Sequence, residues 1–152
     1  MRRATRDDVP LLVGLMAEFY AEAGYELDRE RAAGAFAAMV ADARLGYVWI
    51  IQADHCDVGH VVLTLKFAME YGGVVGCLDD LYVQPGWRNK GLSTAALLEV
   101  RSFCETAGIR AITVEVGHNN SPAQKVYRRV GFAEPVDRQL LTLALAAPAH
   151  VL

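Results

Sequence analysis

The segment Leu78–Leu98, LDDLYVQPGWRNKGLSTAALL, holds the residues best spaced for chemistry. A strand-like run ends at Val83, and a short loop with Arg88, Lys90 and Gly91 opens onto a long helix-like run. The first turn of a helix carries four unpaired backbone N–H groups and the positive end of the helix dipole. Such an end holds phosphate oxygens when side chains leave it clear. Gly91 has no Cβ, Ser93 is small and carries a hydroxyl donor, and Arg88 and Lys90 add charge. Gly86 and Gly91 have P-loop spacing, but Leu92 stands where a P-loop phosphotransferase needs lysine. A Gly-x-Gly-x-x-Gly dinucleotide fingerprint is absent. A capped helix with a few surface cations is the plain alternative. Further on, Glu115 interrupts the apolar run IRAITVEV. A carboxylate there is costly unless paired or wet, which makes it a candidate for acid–base work. Asp79 and Asp80 are rivals, one on each face of their strand because side chains alternate.

The elements that must position these groups follow from periodicity. Residues 1–5 read as a first strand, and Thr5 as an N-cap with Asp8 as its acidic partner. Val9, Leu12, Met16, Phe19 and Ala23 recur at helical steps, and Gly24 ends that helix. Asp28 caps a second helix with Ala32, Ala35, Phe36, Met39 and Val40 on its apolar face. Tyr47–Gln52, Val58–Phe67 and Val74–Val83 read as three strands of a meander, with turns at 53–57 and Gly72-Gly73. A helix is predicted from Gly91 to Ala107, and a strand over Ile109–Val116. A helix opened by Ser121-Pro122 stops at Gly131, and a last strand is predicted over Leu140–Leu145. The order β-α-α-β-β-β-α-β-α-β implies an α/β fold. Its mixed sheet holds an antiparallel meander and then a βαβ crossover, with helices on both faces.

The chain has 152 residues, 53% hydrophobic and 22% charged, which suits one domain over 1–146 with a C-terminal tail at 147–152. Disorder and collagen-like classes are excluded. The net charge of −3 argues against generic nucleic-acid binding. It divides unevenly: residues 1–87 sum to −6 and residues 88–152 to +3, which suggests two surfaces for two charged ligands. Cys56, Cys77 and Cys104 form no paired framework, and the histidines have no metal-ligand spacing. A reduced, cytoplasmic setting fits best, with no membrane span and no metal.

Two blocks carry a family resemblance. Leu81-Tyr82-Val83 is followed by Arg88-Asn89-Lys90-Gly91-Leu92-Ser93. Asn120-x-x-Ala123 is followed by Tyr127 and Gly131-Phe132. Together they resemble the GCN5-related N-acetyltransferases (GNAT), whose motifs are Arg/Gln-x-x-Gly-x-Gly/Ala and Asn-x-x-Ala…Tyr-x-x-x-Gly-Phe. Ser93 departs from the last Gly/Ala, and Asn89 stands where glycine is frequent.

The resemblance implies acetyl-CoA as donor and a primary amine as acceptor. Amides of Arg88, Asn89, Lys90, Gly91, Leu92 and Ser93 would hold the diphosphate. The main chain at Leu81, Tyr82 and Val83 would pair with the pantetheine arm, which needs the strand ending at Val83 to splay from the strand ending at Val116. Asn120 would touch the cofactor, and Lys125, Arg128 and Arg129 are candidates for its 3′-phosphate. Tyr127 is the implied acid for the departing thiolate, with a backbone N–H beside Val83 facing the oxyanion. Glu115 and then Asp79 are the implied bases, since only a neutral amine attacks a thioester. Glu22, Tyr25, Glu26, Phe67, Glu70 and Tyr71 are placed at the acceptor site. A small cationic amine is the expected acceptor. A peptide amine, or a non-catalytic acyl-CoA-binding or partner-binding module on the same fold, are the alternatives. A homodimer is left open.

Overall fold

The computed structural model describes residues 1–134. Strand β1 (Arg2–Arg3) leads through a 3-10 turn (Arg6–Asp8) into helix α1 (Val9–Glu22) and then helix α2 (Arg29–Ala41). Strands β2 (Gly46–Ala53), β3 (Cys56–Ala68) and β4 (Gly73–Val83) follow, then helix α3 (Leu92–Thr106), strand β5 (Ile112–Val114) and helix α4 (Ser121–Val130). The five strands lie in chain order in one sheet. Pairing is antiparallel as far as β4 and parallel between β4 and β5, as the order of elements implies. The strand expected at Leu140–Leu145 and the tail at 147–152 lie outside the described residues.

Local chemistry explains the boundaries. The Thr5 N–H donates to Asp8 Oδ2 at 2.8 Å, the expected cap, but it opens a 3-10 turn. The α-ladder starts only at Val9, with Pro10 in the first turn where its missing N–H costs nothing. Asp28 Oδ1 accepts from the Arg31 N–H at 3.0 Å and caps α2. Asp54 and His55, with φ of 48° and 64°, make a two-residue reversal between β2 and β3. Two left-handed residues are what a tight hairpin turn needs to match strand twist.

The sheet separates two apolar cores. On one face Trp49, Val61, Leu63, Leu78 and Val83 pack against Ala96, Leu97 and Val100 of α3 and Val130 of α4. On the other, Val48, Ile50 and Val62 pack against Leu12 and Val13 of α1 and Ala32 and Phe36 of α2. Each fully buried aliphatic side chain contributes about 1.5–3 kcal/mol. None of the described helices is long and apolar enough to cross a membrane.

Two details of β4 open the sheet near Val83. Val62 pairs with Asp80 while Leu63 pairs with Leu78, so Asp79 is the extra residue of a β-bulge. Bulges bend a strand and re-aim its side chains. Pairing with β5 also stops at Leu78, opposite Val114. The strand predicted over Ile109–Val116 is therefore shorter than its composition suggests. Its apolar residues favour a strand, but beyond Val114 the bulged β4 leaves no ladder partner.

Arg2 forks onto two carboxylates, Asp8 Oδ1 at 2.8 Å and Asp57 Oδ2 at 2.9 Å, and ties β1 to the start of β3. Hydrogen bonding from Arg2 holds the Asp8 carboxyl well below the usual aspartate range and also lowers Asp57. The stability they supply is complete above the ordinary aspartate pKa and is lost as pH falls through the lowered values. Arg2→Met should therefore cost about 1.5–3 kcal/mol at neutral pH. Its melting temperature should fall less steeply than the wild type's below about pH 4, which thermal melts across pH would show.

Candidate active site

The loop from Val83 to Leu92 is built to leave a helix end bare. A 3-10 turn (Pro85–Trp87) follows Gln84, and the Arg88 N–H donates to the Pro85 carbonyl at 3.2 Å. Asn89 then takes φ 61° and Gly91 φ 79°, both left-handed. Asparagine tolerates that region, which is why it can stand where glycine is frequent. Gly91 is the N-cap of α3 and offers no side chain to its first amides. Those N–H groups, at Leu92, Ser93 and Thr94, have no partner within the helix.

This bare end opens into a cavity of about 660 Å³. Leu81, Tyr82 and Val83 of β4 line it together with Asn89, Gly91 and Ser93 of the loop and helix start. Asn120, Lys125, Tyr127 and Arg129 supply the opposite wall. No residue of β5 pairs with Leu81–Val83, so the β4 edge faces a gap there, the splay that pairing with an extended ligand requires. Asn120 caps α4, its Oδ1 accepting from the Ala123 N–H at 3.2 Å.

Side chains of α1 lock the cradle to the sheet. The Tyr82 hydroxyl donates to Glu22 at 3.1 Å, and Gln84 Nε2 to Glu18 at 2.9 Å. Arg88 reaches Glu22 at 2.7 Å and, through Nε, the Val83 carbonyl at 2.7 Å. Burial and these two glutamates push the Tyr82 phenol well above its usual range.

Tyr127 stands half-buried on α4 against Phe132, 5.5 Å between ring centroids. Burial, reinforced by the negative charge of Asp80, pushes its phenol up to about 12. Asp79 is the exposed extra residue of the β4 bulge, two residues before the cavity-lining Leu81. Partial desolvation by the surrounding protein raises its carboxyl first, and the charges of Asp80 and Glu115 raise it further. Asp80 is 8% exposed and turns to the α1/α2 face, as its pairing with Val62 requires.

Residues 10–132 match the acetyltransferase (GNAT) family. The chain belongs to that family. It is 30% identical over 98 residues to an aminoglycoside N(6')-acetyltransferase type 1 of Stenotrophomonas maltophilia, across 62% of this chain and 64% of that protein. It is 36% identical over 56 residues to a streptothricin acetyltransferase of Streptomyces lavendulae, across 37% of this chain and 30% of that protein. The chain thus spans less than two thirds of either curated relative. A solved integron cassette protein from the mobile metagenome of Cole Harbour Salt Marsh is 46% identical, with a TM-score of 0.88 over 97% of this chain and 91% of that one.

Within this GNAT fold several residues stand differently from the motif reading. The Arg88 amide is already spent on Pro85, and its guanidinium is held by Glu22, so the side chain braces the loop and leaves less charge for a ligand. Lys90 does not line the cavity; its ammonium lies over the Trp87 ring, 4.4 Å from the centroid. Arg128 pairs with Glu134, whereas Arg129 and Lys125 line the cavity. Asp79 and Glu115 are not part of the cavity wall. Glu22 is committed to Arg88 and Tyr82, which removes it as a free acceptor-site charge. Phe67, Glu70 and Tyr71 belong to the β3–β4 hairpin, at the far end of β4 from Val83, and Tyr25 and Glu26 also lie outside the cavity wall. Sequence reasoning missed Phe19, Trp87 and Thr94 in the wall, and it missed the buried His60 next to Asp80. The one signal for His60 was a polar residue inside the apolar run VGHVVL.

Proposed function

We propose that this GNAT chain is an N-acetyltransferase that moves the acetyl group of acetyl-CoA onto a primary amine of a small cationic molecule. One observation carries the reading: the bare N-terminus of α3, the unpaired edge of β4 and the Tyr127 phenol share a single cavity. Amides from Asn89 to Ser93 suit a diphosphate, the Leu81–Val83 edge suits an extended arm, and Lys125 and Arg129 suit a further phosphate. The amine class is supported by the names of the two curated relatives. Three unpaired thiols, Cys56, Cys77 and Cys104, suit a cytoplasmic setting.

In this reading acetyl-CoA supplies an activated acyl group. Asp79 takes the proton from the incoming ammonium, directly or through water. Its raised pKa brings it closer to the proton affinity a base needs at neutral pH. A backbone N–H beside Val83 steadies the negative charge on the carbonyl oxygen. Tyr127 keeps its proton across the working range and donates a hydrogen bond to the departing sulfur. A thiolate of ordinary pKa about 8.5 then leaves, and the second proton shed by the acylated nitrogen passes through solvent to that thiolate.

The test is release of CoA thiol from acetyl-CoA with spermidine, kanamycin A and an alanyl peptide as acceptors. Turnover of the first two is expected. Binding of acetyl-CoA without thiol release from any acceptor would replace the reading with a non-catalytic module. The pH profile separates the bases. Asp79 must be ionised to work, so activity falls as pH drops through its raised pKa, and Asp79→Asn should lower kcat about 10²-fold. Glu115→Gln removes one of the charges that raise Asp79 and should shift that limb to lower pH with kcat largely kept. Loss of turnover in Glu115→Gln with an unaffected Asp79→Asn would assign the base to Glu115.

A further inference from the structure

His60 is fully buried in β3, and neither ring nitrogen has a hydrogen-bond partner. An imidazole in that state costs stability, because its polar atoms have left water without compensation. Packing gives no reason for a polar ring there: Phe36 of α2 meets it edge-on at 6.1 Å, and Ile50 is its neighbour on β2. On the other side lies Asp80. His60 Nε2 is 3.7 Å from Asp80 Oδ2, and Asp80 has no other ion pair among the described residues. The other titratable groups around the pair belong to β4, α1 and α4; Tyr20 of α1 and Tyr127 of α4 both feel the Asp80 charge. Tyr82 is His60's cross-strand partner, with ring centroids 6.1 Å apart, and its hydroxyl is held by Glu18 and Glu22. A histidine with open valences faces a buried carboxylate with an open valence, one residue from Asp79.

We propose that His60 is a positioning residue for acetyl transfer. Its Nε2–H, 3.7 Å from Asp80 Oδ2 and short of a hydrogen bond in this structure, closes onto that carboxyl and fixes its orientation next to Asp79, so that the two aspartates together receive the ammonium of the acceptor. The inference rests on the acetyl-transfer reading and deepens it, because it gives the acceptor's cation a defined seat. A hydrogen-bond donor is the one thing that a leucine of similar size could not supply at this position. The arrangement keeps a group that weakens the fold in exchange for an oriented carboxyl next to Asp79.

The experiment has two arms. In the first, long-range ¹⁵N–¹H spectra of the whole chain with labelled histidine report the tautomer of the His60 ring, with no acceptor present. The neutral ring should carry its proton on Nε2, and Asp80→Asn should move the Nε2–H resonance. An Nδ1–H tautomer, or an Nε2–H resonance that Asp80→Asn leaves unchanged, overturns the proposal. In the second, His60→Leu is compared with wild type using acetyl-CoA with spermidine and with kanamycin A. The expected result is a fall of at least tenfold in kcat/KM for the amine, KM for acetyl-CoA unchanged within twofold, and a melting temperature no lower than wild type. His60→Gln, which restores a donor, should recover part of the rate. A lowered melting temperature with both KM values raised, or full activity in His60→Leu, also overturns it. Wild-type protein that acetylates neither amine would defeat the acetyl-transfer reading instead, and the spectra would still decide the His60–Asp80 pairing.

Discussion

Ser93→Asp is expected to weaken acetyl-CoA binding by at least 100-fold while leaving the fold as stable as before, or more so. The two effects have one cause. Ser93 sits in the first turn of α3, whose amides are bare because Gly91 provides no capping side chain. An aspartate there meets the positive end of the helix dipole, which is worth about 0.3–1 kcal/mol to the helix. The same carboxylate occupies the space and the charge complement that a diphosphate would need. A 100-fold loss corresponds to about 2.8 kcal/mol, well within the repulsion and lost hydrogen bonding at such a site. Calorimetry with acetyl-CoA and thermal melts on the same samples read both quantities. Binding kept in Ser93→Asp would move the diphosphate elsewhere. Binding lost together with a lowered melting temperature would mean that the helix start had collapsed.

Tyr127→Phe should lower kcat about 10²-fold, in the range for losing one donor aimed at developing charge, with the dissociation constant for acetyl-CoA within about twofold of wild type. Burial and Asp80 keep the wild-type phenol protonated, so in the proposed reaction it would contribute a hydrogen bond to the departing sulfur rather than act as a titrating acid. The pH profile of the variant should therefore keep the Asp79 limb, displaced downward in rate. The ring itself packs on Phe132, and phenylalanine preserves that contact. Unchanged turnover in single-cycle measurements would remove Tyr127 from the chemistry.

The elements that position the site were largely legible because each carries a local signal. Thr5 and Asp8, Asp28, Gly91 and Ser121 with Pro122 mark helix starts, and Gly24 and Gly131 lie just past helix ends. Three apolar runs with turn residues between them gave the meander, and the parallel step to β5 followed from the intervening helix. Features that escaped the sequence depended on long-range geometry. The bulge at Asp79 is a matter of register between β3 and β4, and nothing in LDDLYV announces it. The shortness of β5 follows from that bulge. Arg88 looked like a charge for a ligand, but its guanidinium answers to Glu22, 66 residues away on α1. His60 was weighed only for metal-ligand spacing, and its neighbour Asp80, 20 residues on, is placed beside it by strand register alone.

A crystal structure of the chain with CoA bound bears most directly on the shared cavity as an acetyl-CoA site. The diphosphate oxygens should lie within hydrogen-bonding distance of the amides of Gly91, Leu92 and Ser93. The pantetheine arm should run along Leu81–Val83, and its sulfur should end beside the Tyr127 hydroxyl. A diphosphate bound away from the start of α3, or a sulfur pointing away from Tyr127, would contradict it.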